Sequence, residues 1–146
     1  MNTALAAIGS AAALLALAAP ADAQETTVKG ETAEGVAVKL TVGEFGNATA
    51  FRVGKAEIEC KRGGTLTTRK TTFTEFDRSD PGAFTGTFED TSGSGGFKFK
   101  ATTKVTGTQG ADVSGPWSGT LKSKTRVLKD GEKVDTCKVS TTWDAG

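Results

Sequence analysis

Seven basic side chains fall at even-numbered positions of the C-terminal half: Lys98, Lys100, Lys104, Lys122, Lys124, Arg126 and Lys138. Extended backbone turns successive side chains to opposite faces, so even positions in register share a face. That spacing points to anion binding, by a cell-envelope polymer, lipopolysaccharide or nucleic acid. Residues 96–126 hold six bases and one acid, Asp112, a local +5 inside a chain whose formal net charge is +1. No aromatic alternates with the bases, which argues against nucleic-acid base stacking. The plainer reading carries more weight here: a solvated face whose lysines keep sheets from pairing edge to edge.

Other chemistry is thinly supplied. The chain has no His, no Tyr and two Cys. Without imidazole there is no Ser-His-Asp triad, no Cys-His dyad and no His metal site. Ser118 sits in Trp117-Ser118-Gly119, outside the Gly-x-Ser-x-Gly pattern and with no base to activate it. Glu75, Asp77, Asp80, Glu89 and Asp90 cluster around Pro81-Gly82. They lack the ordered acidic spacing of a calcium loop, and nothing in the sequence sets the separation a glycosidase pair needs. Neither a metal nor another cofactor is expected. Trp117 and Trp143 could stack a sugar, but their phase matches Phe84 and Val139, so they are expected in the core, each indole N–H needing an acceptor.

Residues 1–23 stand apart. Ala4 to Ala19 is an apolar run broken only by Gly9 and Ser10, followed by Pro20 and Ala21-Asp22-Ala23. That is the layout of a secretory signal peptide cut after Ala23, although its start carries no Lys or Arg. One of the 17 acids, Asp22, leaves with it, so 18 bases face 16 acids in residues 24–146, a balance of +2. Export to an oxidising compartment makes Cys60 and Cys137 a disulfide pair. Their 77-position separation is worth roughly 4 kcal/mol of chain entropy.

The elements that must position these groups are strands. Apolar residues alternate at Val36, Val38, Leu40 and Val42, and again from Phe97 to Val105, Trp117 to Leu121 and Cys137 to Trp143. Period two with Thr, Val and Phe enrichment marks half-buried strands, and the 24 Thr need no other explanation. Gly-rich breaks separate them, so one antiparallel β-sandwich or flattened barrel of about eight strands is expected over 24–146. The N-terminal strands are expected near 26–31, 35–43, 48–60 and 65–76, with a bulge or bend at Gly54-Lys55 where the apolar phase shifts. A three-residue loop at Lys129-Asp130-Gly131, a loop centred on Gln109 and a turn at Ser92-Gly93 give one consistent C-terminal meander. In it Phe84, Ala101, Trp117 and Trp143 form one inward row, Gly86, Phe99, Gly119 and Thr141 another, and Lys122 lies beside Lys138.

The layout resembles that of secreted bacterial all-β domains of uncharacterised function. The segments that carry the resemblance are Gly30-Glu31-Thr32, Val38 to Val42, Cys60, Gly82-Ala83-Phe84, Gly115 to Gly119 with its Gly-x-Trp-x-Gly pattern, Cys137 and Trp143-Asp144-Ala145. The resemblance implies a β-sandwich-like domain living outside the cytoplasm and brings no established activity. The expectation is a secreted or periplasmic, non-enzymatic domain whose Lys-rich face binds an anionic envelope polymer. The alternatives are a carboxylate-dependent hydrolase acting on glycans and a purely structural exported domain.

Overall fold

The computed structural model describes residues 25–78, 82–110 and 115–146. The expected leader, residues 1–23, lies outside them, as do Asp80 and Asp112. Ten strands follow one another: β1 (Thr26–Thr32), β2 (Ala37–Val42), β3 (Ala48–Val53), β4 (Glu57–Cys60), β5 (Thr65–Thr67), β6 (Thr71–Phe73), β7 (Ala83–Ser94), β8 (Phe97–Gln109), β9 (Trp117–Lys129) and β10 (Glu132–Ala145). Eight form one antiparallel path, β6-β3-β2-β1-β10-β9-β8-β7, while β4 pairs with β10 and β5. The path almost closes. Phe73 of β6 lies 4.4 Å from Phe88 of β7, ring to ring. Just past β6, Asp77 and Thr85 exchange backbone hydrogen bonds of 2.7 and 3.0 Å. The all-β, barrel-like fold and the Cys60–Cys137 disulfide are therefore as expected.

The inward face is the odd positions of β8, β9 and β10 and the even positions of β7, as the alternation predicts. The rows across that face are different. Phe84 lies in line with Gly107, Gly119 and Trp143, and Gly86 with Val105, Leu121 and Thr141. Trp117 stands opposite Ala145, and Cys137 opposite Thr125. Period two decides which face a residue takes, but a slide of two residues leaves every face unchanged. The turns decide the slide. The β7–β8 turn is Gly95-Gly96, with φ of 60° and 83°, rather than Ser92-Gly93. A two-residue turn of this hand needs positive φ twice, which consecutive glycines supply at no steric cost. The β8 strand runs to Gln109, which pairs with Trp117 at the start of β9 instead of lying at the centre of a loop, and the Gly110 N–H donates to the Pro116 carbonyl at 2.8 Å.

The last hairpin corrects the sequence reading in another way. Its turn has two residues, Asp130 (φ 52°) and Gly131 (φ 84°), and Glu132 faces Lys129. A two-residue turn alone would turn Cys137, Val139 and Trp143 outward. An irregularity between Lys133 and Asp135 restores the phase, doing what a three-residue loop was expected to do. In the N-terminal half, the phase shift after Val53 is a full break. The chain leaves β3, which pairs with β2 and β6, and begins β4, which pairs with β10 and β5.

The core is built on the first of those rows. Trp143 and Phe84 flank two glycines and pack with Phe51, whose ring centroid is 4.8 Å from Trp143. A Cβ on Gly107 would lie 2.2 Å from the Phe84 ring, so only glycine admits that aromatic. Both tryptophans are buried, and the Trp143 indole N–H donates to the Thr106 carbonyl at 3.0 Å. The core pair is as expected, and a sugar platform is not exposed.

Candidate functional site

The outward positions of β8, β9 and β10 carry the basic residues, and all seven are exposed. The observed register sets Lys104 directly opposite Lys122, Lys100 opposite Arg126, and Lys124 opposite Lys138. Lys122 is therefore opposite Ser140, not beside Lys138, because the slide differs by two residues. Lys104, Lys122, Lys124, Arg126 and Lys138 line one shallow depression of about 520 Å³ with Thr102 and Ser140, and no carboxylate lines it. Lys98 and Lys100 stand outside it, opposite Leu128 and Arg126. The nearest acids by register lie at the margins: Glu89 opposite Thr102, and Glu59 opposite Lys138.

Next to the bases along the same strands lies a row of hydroxyls: Thr85, Thr106, Thr120 and Thr142 stand in line across β7 to β10. The Thr106 and Thr120 hydroxyls are 2.7 Å apart, and the Thr120 N–H donates to Thr106 Oγ1 at 3.2 Å. The Thr-x-Thr patterns look irregular along the chain and become a row only across strands, so the signal was invisible without the register.

Within the acidic cluster, whose Asp80 lies outside the described residues, two neighbours diverge. Glu89 and Asp90 are consecutive in β7 and so point to opposite faces of the sheet. Asp77 uses its backbone to bridge to Thr85. Among the described residues, no three Cys, Asp or Glu side chains come together as a metal site. Among the described residues one carboxylate is perturbed: Glu34, on the β1–β2 turn, accepts a hydrogen bond from the Thr141 hydroxyl, which holds its carboxyl below the usual value of 4.5.

A second concavity lies on the other side of the same strands. The inner face of β7–β10 runs on below Leu121, and the β4–β5 hairpin with β6 faces it across a cleft of about 370 Å³. Its lining includes Phe99, Ala101 and Val139, expected as core, and Ile58 and Leu66. The sequence reading missed it because inward apolar residues look alike whether they meet a partner or open space. The two long strands expected at 48–60 and 65–76 are each broken in two, into β3 and β4 and into β5 and β6, and that leaves the inner face of β8 without a full partner.

No family model matches the chain, and neither a curated protein nor a solved structure matches it.

Proposed function

We propose that this chain is a non-enzymatic binding domain, secreted or periplasmic after loss of residues 1–23, that holds a phosphorylated glycan of the cell envelope against the outer face of β8–β10. In this reading it belongs with the secreted bacterial all-β domains it resembles. One observation carries the proposal: three pairs of cations stand directly opposite each other on this face, and five of the six side chains line a depression lined by no acid. Like charges in register cost roughly 0.2–1 kcal/mol per pair. A solvated face needs charge, but it does not need cation against cation. Lysines that guard edges belong on edge strands, whereas β8, β9 and β10 are paired on both sides. Rules broken without a structural gain mark functional surfaces.

The chemistry of the face suits phosphate on a sugar. Lys ammonium groups are compact charges that accept an anion from many directions, and the adjoining threonines offer hydroxyls to a polyol. The disulfide suits an oxidising compartment. No helix among the described residues is long and apolar enough to cross a membrane.

The test is sedimentation of the chain with isolated lipopolysaccharide, with an isolated phosphate-bearing wall polymer, and with duplex DNA of equal charge, from low to high salt. Engagement of five cations predicts a log–log salt slope of about −4, and Lys122→Glu with Lys124→Glu should abolish retention. The two glycan arms identify the source. No retention of either glycan at low salt, or equal retention of DNA, ends the proposal.

A further inference from the structure

The four C-terminal strands are longer than the core requires. The strands β7 to β10 have 12 to 14 residues, whereas β4, β5 and β6 have four, three and three. The packed core includes Val105 and Leu121 on β8 and β9 but neither Phe99 nor Ala101 farther along β8. Below it the inner face continues through Thr103, Ala101 and Phe99, and only the short β4–β5 hairpin and β6 stand opposite. The result is the cleft of about 370 Å³.

Its lining is mixed, with a band of apolar side chains beside eight Ser and Thr residues. Ile58, Leu66 and Phe73 face Phe88, Phe99 and Val139 across it. Phe73 and Phe88 close one side at 4.4 Å. The Thr103 and Ser123 hydroxyls on its wall bond each other at 3.0 Å, so they make little demand on an occupant. The charges on the lining are Arg69, Lys70 and Asp90, all exposed, with a sum of +1.

We propose that the cleft is a binding site for a small monoanionic amphiphile: a carboxylate with an apolar body of about ten carbons, its tail against Phe88 and Phe99 and its head at Arg69 and Lys70. The volume falls within the usual range for small-ligand sites. At about 30 Å³ per water-sized group, it has room for roughly a dozen non-hydrogen atoms. Two cations against one acid select an anionic head over a cationic one. The mouth of a barrel is also a place where such sites recur. The proposal is independent of the outer face, because the two surfaces use side chains of opposite phase.

The experiment titrates decanoate, decyltrimethylammonium and decanol, each below its micelle threshold, into the purified chain with its disulfide intact. Backbone ¹⁵N shifts locate the ligand and calorimetry gives the stoichiometry. Decanoate should saturate one site, move the Ala101, Thr103 and Ser123 amides, and bind about three- to thirtyfold more tightly than the ammonium. Ala101→Trp should fill the cleft and remove the saturable shifts. Since a larger side chain at 101 also alters packing, Arg69→Ala with Lys70→Ala tests the head site on an exposed rim. It should weaken decanoate roughly two- to fivefold and leave decanol unchanged. Absence of saturation, shifts confined to Lys122 and Lys124, or ammonium binding as tight as decanoate would each overturn the proposal.

Discussion

Replacing Lys122, Lys124 and Arg126 by Thr takes one cation from each opposed pair and leaves Lys104, Lys138 and Lys100 without a like-charged neighbour across the strand. Long side chains splay, so the charges of each pair sit at roughly 7 Å in water, where their repulsion is about 0.6 kcal/mol. Three pairs give about 2 kcal/mol at low salt. A Debye length of about 8 Å at physiological ionic strength reduces this to less than 1 kcal/mol. For a domain of this size, 1 kcal/mol moves Tm by roughly 3–6 °C. Calorimetry should therefore find the triple variant melting about 5–10 °C higher than the parent in 10 mM salt, with most of the gap gone in 500 mM salt. The parent's Tm should rise with salt, and the variant's should stay nearly flat. A variant that melts lower in 10 mM salt, or one with the parent's salt dependence, would show that the opposed cations carry no cost. The inference from that cost to a binding role would then fail.

Gly119→Ala should cost more than Gly86→Ala in thermal unfolding. The new Cβ at 119 lies 1.8 Å from the Thr106 carbonyl oxygen, which is backbone, whereas at 86 the nearest atoms are the far edge of the Phe88 ring at 2.6 Å; overpacking typically costs about 1–3 kcal/mol, and position 119 should lie at or above the top of that range. Cys60→Ser with Cys137→Ser should lose about 2–5 kcal/mol. Hydrogen exchange in that variant should open the β4–β5 hairpin first, because its attachment to β10 is short: the pairs at Cys60 and Glu59, the Lys61 N–H to the Thr136 carbonyl and the Arg62 N–H to the Asp135 carboxylate. The folded-state pKa of Glu34 lies below its unfolded value, so the stabilisation from its bond to Thr141 is complete above that value and fades as pH falls through the depressed pKa. The parent should therefore lose Tm faster than Glu34→Gln on acidification from about pH 5 to pH 3, and parallel curves would refute the assignment.

How far the sequence reached depended on which rule governed each feature. Alternation was enough to place Phe84, Val105, Leu121 and Trp143 inward and the lysines outward, because side-chain phase is local. It could not choose between slides of two residues, since Trp117 faces inward whether it meets Trp143 or Ala145. That choice belonged to Gly95-Gly96 and to the irregularity after Lys133, where backbone φ and one extra residue decide the pairing. The site inherited the same limit. The seven bases were readable as a face, but the opposition of Lys104 to Lys122 was not. The cleft was the least legible feature: Phe99 and Ala101 have the spacing of core residues, and only the shortness of β4 to β6 leaves them facing open space.

The length of β7 to β10 links the two surfaces. The apolar cluster around Phe84, Trp143 and Phe51 is complete by the level of Val105 and Leu121. Stability alone would favour ending the hairpins there, since further residues cost backbone entropy of about 1–2 kcal/mol each. Instead the strands continue, and both departures from good packing occur along that extension. Outside, cations meet cations at Lys124–Lys138 and Lys100–Arg126. Inside, Phe99 and Ala101 line a gap instead of a partner. Because phase alternates along a strand, each added pair of residues lengthens both surfaces at once, and the irregularity between Lys133 and Asp135 has already set β10 in phase with β9 after the two-residue turn. The Cys60–Cys137 link lies on this same extension, fastening the β4–β5 hairpin that forms the far wall of the cleft. A covalent tie is used where the hydrogen-bonded pairing is shortest, which is what holding a cleft open and in shape requires, and what a filled core would not.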